Sequence, residues 1–211
     1  MGVLLCLLAS VPSWPGRQAL AQRPPSRIVY FTTFTHGLSG WSGTTGTWRR
    51  SKQFISTDQR GVTVVIAPFV VRMKSYAVQS KLRIVAWRNR GSGDALVGIL
   101  FRAPSKVTFN KRRMTTGQGL VSGLYRLQGT TNVSVKQAYE LGSLWGQQTR
   151  YDPGQGFHTY RVEVRGSRIR VLVDGRQKLS LSWNDSARGT RVGIAVTYAA
   201  VQVKGFRVTT L

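Results

Sequence analysis

Seven carboxylates are all that this 211-residue chain offers for acid–base chemistry: Asp58, Asp94, Glu140, Asp152, Glu163, Asp174 and Asp185. Glycosidic hydrolysis by the usual route needs two carboxyl groups about 5–10 Å apart, one protonated and one ionised. Only Glu140 and Glu163 are glutamates. Glu163 stands between Arg161 and Arg165, cations that keep a carboxylate ionised and unsuited to give up a proton, so it reads as an ion-pair member. Glu140, in Ala-Tyr-Glu-Leu, is the one acid in an aromatic setting and a weak candidate for an acid/base. Asp152-Pro-Gly, Asp174-Gly and Asn184-Asp-Ser read as turns. His36 and His158 have no acidic or cysteine neighbour in sequence, and no His-Glu-x-x-His, Gly-x-Ser-x-Gly or Walker pattern occurs. Cys6 is the single cysteine, which excludes an intrachain disulfide and a cysteine metal site. No metal or other cofactor is implied.

Binding chemistry is better supplied. Thirty-one Lys and Arg stand against those seven acids, a net charge of +24. Clusters occur at Arg49-Arg50-Ser51-Lys52, Arg88-Asn89-Arg90 and Lys111-Arg112-Arg113. A field of this size attracts polyanions, and guanidinium groups contact carboxylate or sulfate in bidentate fashion. Each cluster taken alone also fits a solvated basic surface. Nucleic acid would feel the same field, but no RNP, KH, helix-turn-helix or zinc-finger pattern is present. Among the tryptophans, Trp41 and Trp48 read as core. Trp87 and Trp145 are open between core packing and stacking on a sugar ring, whose axial C–H groups match the indole face.

Residues 1–21 contain an apolar run, Val3–Val11, too short to span a bilayer at about 20 residues, and then Ala19-Leu20-Ala21, which fits signal-peptidase cleavage. A short tether over residues 22–27 follows, and residues 28–211 read as one domain with no further membrane span. In that domain no stretch shows sustained helical periodicity. Short segments rich in Val, Ile, Thr and aromatics recur between Gly, Asn, Asp and Ser clusters, the all-β pattern. Strands are predicted at Ile28–Phe34, Gly61–Val71 (with Pro68 a bulge or edge marker), Tyr76–Trp87, Ala95–Arg102, Gly123–Gln128, Asn132–Tyr139 and Ser143–Thr149. Tyr160–Val164, Arg168–Asp174, Val192–Val196 and Phe206–Val208 complete the set. Ser105–Gln118 reads as a mobile basic loop. Leu82, Ile84 and Ala86 alternate with Lys81, Arg83, Val85 and Trp87, and Tyr160, Val162 and Val164 with Arg161 and Glu163. Such alternation makes each sheet bury one face, which is a two-sheet antiparallel sandwich.

The order of these segments resembles the concanavalin A-like lectin/glucanase superfamily, in its laminin-G-like and keto-disaccharide-hydrolase-like branches. The likeness is carried by Phe31-Thr-Thr-Phe34, Gly37-Leu-Ser-Gly-Trp41, Gly46-Thr-Trp48, Lys81–Trp87, Val97–Arg102, Gly123–Leu127, Tyr160–Val164, Ile169–Gly175, Gly189–Ile194 and Phe206–Val208. It implies a jelly-roll sandwich over nearly the whole chain after residue 21. The departures concern chemistry: the E-x-D-x-x-E strand of the glucanases is absent, Tyr125–Gly129 is not acidic, and the laminin-G-like calcium aspartates have no evident counterpart.

The expected function is that of an exported, non-catalytic module, secreted or on the cell exterior, that binds a polysaccharide or glycan, anionic ones favoured by charge. Its candidate ligand-binding residues are Arg83, Trp87, Arg102, Arg126 and Trp145, on a concave sheet face. Two alternatives stay open: a glycoside or 3-keto-glycoside hydrolase using Glu140, and a structural or adhesion domain without a small-molecule site.

Overall fold

The computed structural model describes residues 26–43, 46–89, 94–104, 109–110, 113–114, 119–137, 147–183 and 189–211. Among these there is no helix, and hence none long and apolar enough to cross a membrane. The strands in chain order are β1 (Ile28–Thr32), β2 (Trp48–Arg50), β3 (Ile55–Asp58), β4 (Val62–Val70), β5 (Ser75–Trp87), β6 (Ala95–Ala103), β7 (Phe109–Asn110) and β8 (Arg113–Met114). They continue as β9 (Leu120–Leu127), β10 (Thr130–Gln137), β11 (Gln148–Arg150), β12 (His158–Arg165), β13 (Arg168–Val173), β14 (Arg176–Ser182), β15 (Arg191–Thr197) and β16 (Ala199–Thr210).

Two antiparallel sheets form. The first runs β14-β13-β12-β5-β16-β3-β2, with β1 pairing β16; the second runs β11-β10-β9-β6-β15-β4. Alternate residues of both face inward and meet in one cluster: Val78, Leu82 and Ile84 of β5, Val162 and Val164 of β12, and Val171 of β13 oppose Val97, Ile99 and Phe101 of β6, Leu124 of β9, Val135 of β10 and Ile194 of β15. This is the period-two arrangement read from the sequence. Each such side chain removed from water contributes about 1.5–3 kcal/mol. Trp41 and Trp48 pack against the same cluster as expected, and Trp48 Nε1 donates to Thr63 Oγ1 at 3.2 Å. Pro68 lies on β4, an edge strand, where a missing N–H costs the ladder nothing.

The turns follow the local chemistry. Asp174-Gly175 joins β13 to β14 with both residues at positive φ (50° and 78°), as a two-residue hairpin loop needs. Gln128-Gly129 does the same between β9 and β10, at 47° and 82°.

Differences from the predicted strands are local. β2 and β3 are three and four residues long, too short to show a period. β14 shows only Leu179 and Leu181 inward. β16 begins at Ala199 rather than Phe206, because β5 and β3 pair with its first half. Within Ser105–Gln118, β7 and β8 form a two-residue hairpin, and the rest of that loop lies outside the described residues, as do residues 1–25.

Glu163 is on the outer face of the first sheet, yet only 9% exposed. Arg161 Nε donates to its Oε1 at 3.0 Å and Arg170 Nη1 to its Oε2 at 3.3 Å. This is the ion pairing expected of it. Glu163→Gln should lower stability by about 1–2 kcal/mol, since it strips two part-buried guanidinium groups of their carboxylate. A urea unfolding curve superimposable on the wild type would show that the cluster adds nothing.

Candidate functional site

One groove of about 400 Å³ opens at the end of the sandwich where β5 stops and the β9–β10 hairpin turns. That volume falls within the ~300–1,000 Å³ range of small-ligand sites. Its walls are Ile84–Trp87 from the end of β5, Arg126, Gly129 and Thr131 from the hairpin, and Asp152–Gln155 from the segment before β12.

Each wall has a local cause. Trp87 ends a thirteen-residue strand whose outer neighbour Val85 is exposed; its indole is half-buried, with part packed against the core. The tight Gln128-Gly129 loop keeps Arg126 and Thr131 close together on adjacent strands, where they pair in register. The guanidinium of Arg126 sits 5.9 Å from the Trp87 ring centroid, a cation–π distance. Asp152 Oδ1 accepts the Gly154 N–H at 2.9 Å, and Gly154 has φ 64°, so the Asp-Pro-Gly turn holds the third wall. Behind that wall His158 Nδ1 lies 2.6 Å from Asp174 Oδ2, and the Thr159 N–H donates to Asp174 Oδ1 at 2.8 Å. Burial pushes the Asp174 carboxyl up, but the bonds from His158 and Thr159 outweigh it and hold the group below the usual carboxylate range. The pair ties the start of β12 to the β13–β14 turn.

The floor chemistry is an indole, a guanidinium, a hydroxyl and an amide, the last two those of Thr131 and Gln155. Among the described residues, Asp152 is the only acid lining the groove, and one of its oxygens is already engaged by Gly154. Two residues beyond the lining residue Gln155, the Phe157 ring has Arg83 and Lys204 over it, at 5.0 Å and 4.4 Å from its centroid. Among the described residues, no three His, Cys, Asp or Glu side chains gather as a metal site.

Of the candidate ligand-binding residues, Trp87 and Arg126 are brought together. Arg83 stands beside the groove on the outer face of the first sheet, with Nε donating to Gln202 Oε1 at 2.7 Å. Arg102 is at the opposite end of the sandwich, where its guanidinium donates to the Gly166 carbonyl in the β12–β13 turn. There it lies beside Tyr76, whose phenol burial pushes up to about 12 against the opposing effect of Arg102. Arg102 therefore joins a turn contact and not the groove. Trp145 and Glu140 lie outside the described residues. The groove opens at one end of the sandwich, whereas the sequence suggested a sheet face. Gln155 and Thr131 were not anticipated; the Asp-Pro-Gly signal located a turn, but nothing in it shows that the turn walls a groove.

No family model matches this chain, and no curated protein matches it either. Solved structures do. The chain is similar to carbohydrate binding module CBM66 from Bacillus subtilis at 15% identity and a TM-score of 0.55, covering 78% of this chain and 92% of that one. It is similar to the Crh5 transglycosylase solved in complex with NAG, at 16% identity and a TM-score of 0.57, over 86% and 83% of the two chains. A legume lectin-like domain from Entamoeba histolytica aligns at 12% identity and a TM-score of 0.57, over 82% and 91%. At these identities the likeness is one of fold. Strand order, sandwich core and neighbours agree: the chain has the two-sheet jelly-roll fold of concanavalin A-like lectins and carbohydrate-binding modules.

Proposed function

We propose that this protein is an exported, non-catalytic carbohydrate-binding module that holds a glycan in the groove at the end of the sandwich. The observation that carries this reading is the half-exposed Trp87 indole under the Arg126 guanidinium, in a groove with hydrogen-bonding groups on its other walls. A sugar ring stacks on the indole, and Arg126, Thr131 and Gln155 bond to its hydroxyls. Solved structures of similar fold include a carbohydrate-binding module and a transglycosylase with bound NAG, which supports a saccharide as ligand.

Charge selects among saccharides. With +24 on the chain and Arg126 lining the groove, uronate-bearing or sulfated polysaccharides are favoured over neutral ones. Export rests on the leader at residues 1–21. A catalytic role is disfavoured by the groove's single acid among the described residues, which lacks the partner that glycoside hydrolysis requires.

A glycan array at two salt concentrations tests the reading. Retention is expected on anionic polysaccharides, weakening as salt screens the charges. Retention on none of the array's glycans would overturn it. Turnover of a bound disaccharide or 3-keto-glucoside, lost in Glu140→Gln, would replace it with the hydrolase.

A further inference from the structure

The outer face of the first sheet gathers four cations from two adjacent strands. On β5, Lys81 and Arg83 alternate with the inward Leu82 and Ile84. On β16, Arg207 pairs in register with Gln79, and Gln202 with Arg83. Directly opposed residues of an antiparallel pair share a face, so Arg207 stands on this face too. Lys204 falls at the register shift between Val203 and Gly205, a bulge on β16. Its ammonium lies over the Phe157 ring together with the Arg83 guanidinium. Lys81 is exposed, and Arg83, Lys204 and Arg207 are half-buried.

The acids of this face are already engaged. Asp58 pairs with Arg88, and Glu163 with Arg161 and Arg170. The charge of Asp174 reaches Lys81, but His158 and the Thr159 N–H bond its two oxygens. Among the described residues no ion pair includes Lys81, Arg83, Lys204 or Arg207. What holds two of them is neutral: Arg83 Nε donates to Gln202 Oε1 at 2.7 Å, and Arg207 Nη2 to Gln79 Oε1 at 2.9 Å. Each amide takes one of a guanidinium's N–H donors and orients the group without neutralising it. Like charges gathered on neighbouring strands repel one another, and an anion laid over them relieves that repulsion.

The residues between the cations fit a hydroxyl-rich chain. In register, Gln79 lies beside Arg207, Thr159 beside Lys81, and Gln202 beside Arg83 and Ser56. Amides and hydroxyls exchange hydrogen bonds with sugar hydroxyls, whereas a bilayer surface asks for apolar side chains among the cations. On the far side, Phe31 of β1 pairs with Arg207 and is 59% exposed, an aromatic face next to a cation. From Gln79 to Arg83 the strip runs about 13 Å along β5, at about 3.3 Å per residue, which is longer than one sugar ring. Val85, two residues beyond Arg83 on the same face, lines the Trp87 groove, so one extended chain reaches both.

We propose that Lys81, Arg83, Lys204 and Arg207, with Phe31 at the end, form a docking strip for an extended anionic polysaccharide, a second contact surface for the glycan that the groove holds. Its ligand class rests on the glycan reading above, and none of its residues lines the Trp87 groove. The cations meet carboxylate or sulfate groups, the amides and hydroxyls meet the ring hydroxyls between them, and a sugar stacks on Phe31. Affinity then grows with chain length, because a chain already held in the groove reaches the strip as an intramolecular event.

Calorimetry with polygalacturonate at low and high salt tests the strip. Lys81→Gln/Lys204→Gln should weaken binding at low salt about tenfold and flatten its salt dependence. Phe31→Ala should weaken it several-fold and leave the salt dependence as it is. Trp87→Ala should lose the groove's share of the affinity and keep the salt dependence. Wild-type affinity in the double variant or in Phe31→Ala would overturn the proposal; so would binding to phosphatidylglycerol vesicles that the double variant loses in equal measure. If Trp87→Ala binds like the wild type while the double variant is weakened, the groove is not the site and the strip stands. The converse sinks the strip alone. If the double variant does not fold, Lys81→Glu, at an exposed position, decides in its place, and wild-type affinity there contradicts the assignment.

Discussion

Gly123→Ala should destabilise this protein by about 3 kcal/mol or more, at the upper end of what overpacking costs. An alanine Cβ at this position would stand 2.2 Å from the Val97 carbonyl oxygen and 2.4 Å from the Gly98 Cα. Both are backbone atoms of β6, the strand next to β9, so no side-chain rotation relieves the contact. β9 sits between β6 and β10 in the second sheet, and moving it would disturb both ladders. Gly129 is the control. It lies at the hairpin tip at φ 82°, and a Cβ added there would meet nothing within 4 Å. Alanine then costs only the left-handed conformation, about 1–2 kcal/mol. Chemical denaturation of the two variants should therefore separate them clearly. A wild-type midpoint for Gly123→Ala would mean that β6 and β9 do not approach in this register.

Trp87→Ala is expected to weaken glycan binding by about 30-fold or more, the loss typical of an aromatic anchor at about 2 kcal/mol. Among the described residues, the indole provides the only large aromatic surface lining the groove. Arg126→Ala should cost less, about tenfold, by removing the guanidinium that stands 5.9 Å from the indole centroid and is proposed to bond the sugar hydroxyls. Because Trp87 also packs against the core, part of its effect is on stability. Trp87→Phe keeps an aromatic face and should recover much of the binding. Calorimetry on all three variants separates the two effects. Equal affinity for Trp87→Ala and wild type would mean that the glycan does not bind in this groove.

How far the sequence reveals this depends on the range of the interaction. Strand alternation is local, and it correctly placed Leu82 and Ile84 inward and Lys81 and Val85 outward on β5. Turn chemistry is local too, and Asp174-Gly175 turned as read. Trp87 and Arg126 were legible as candidate binding residues, an aromatic open between packing and stacking and a cation, but their meeting across two sheets was not. Arg102 has the same chemistry as Arg126, yet β6 carries it to the far end, against Gly166. Along the chain the two arginines look alike. His158 has no acid near it in sequence, and the β13–β14 turn brings Asp174 to 2.6 Å. Lys136 lies within the predicted strand Asn132–Tyr139, and nothing along the chain shows that it is only 3% exposed.

Glycan binding in this groove requires a sugar to meet Trp87. An NMR titration following the tryptophan indole N–H signals, assigned by single substitution, with an acidic oligosaccharide reads this directly. The Trp87 signal should move progressively with ligand, while those of Trp41 and Trp48, packed against the core, stay in place. A saturating titration in which the Trp87 signal does not move would contradict it.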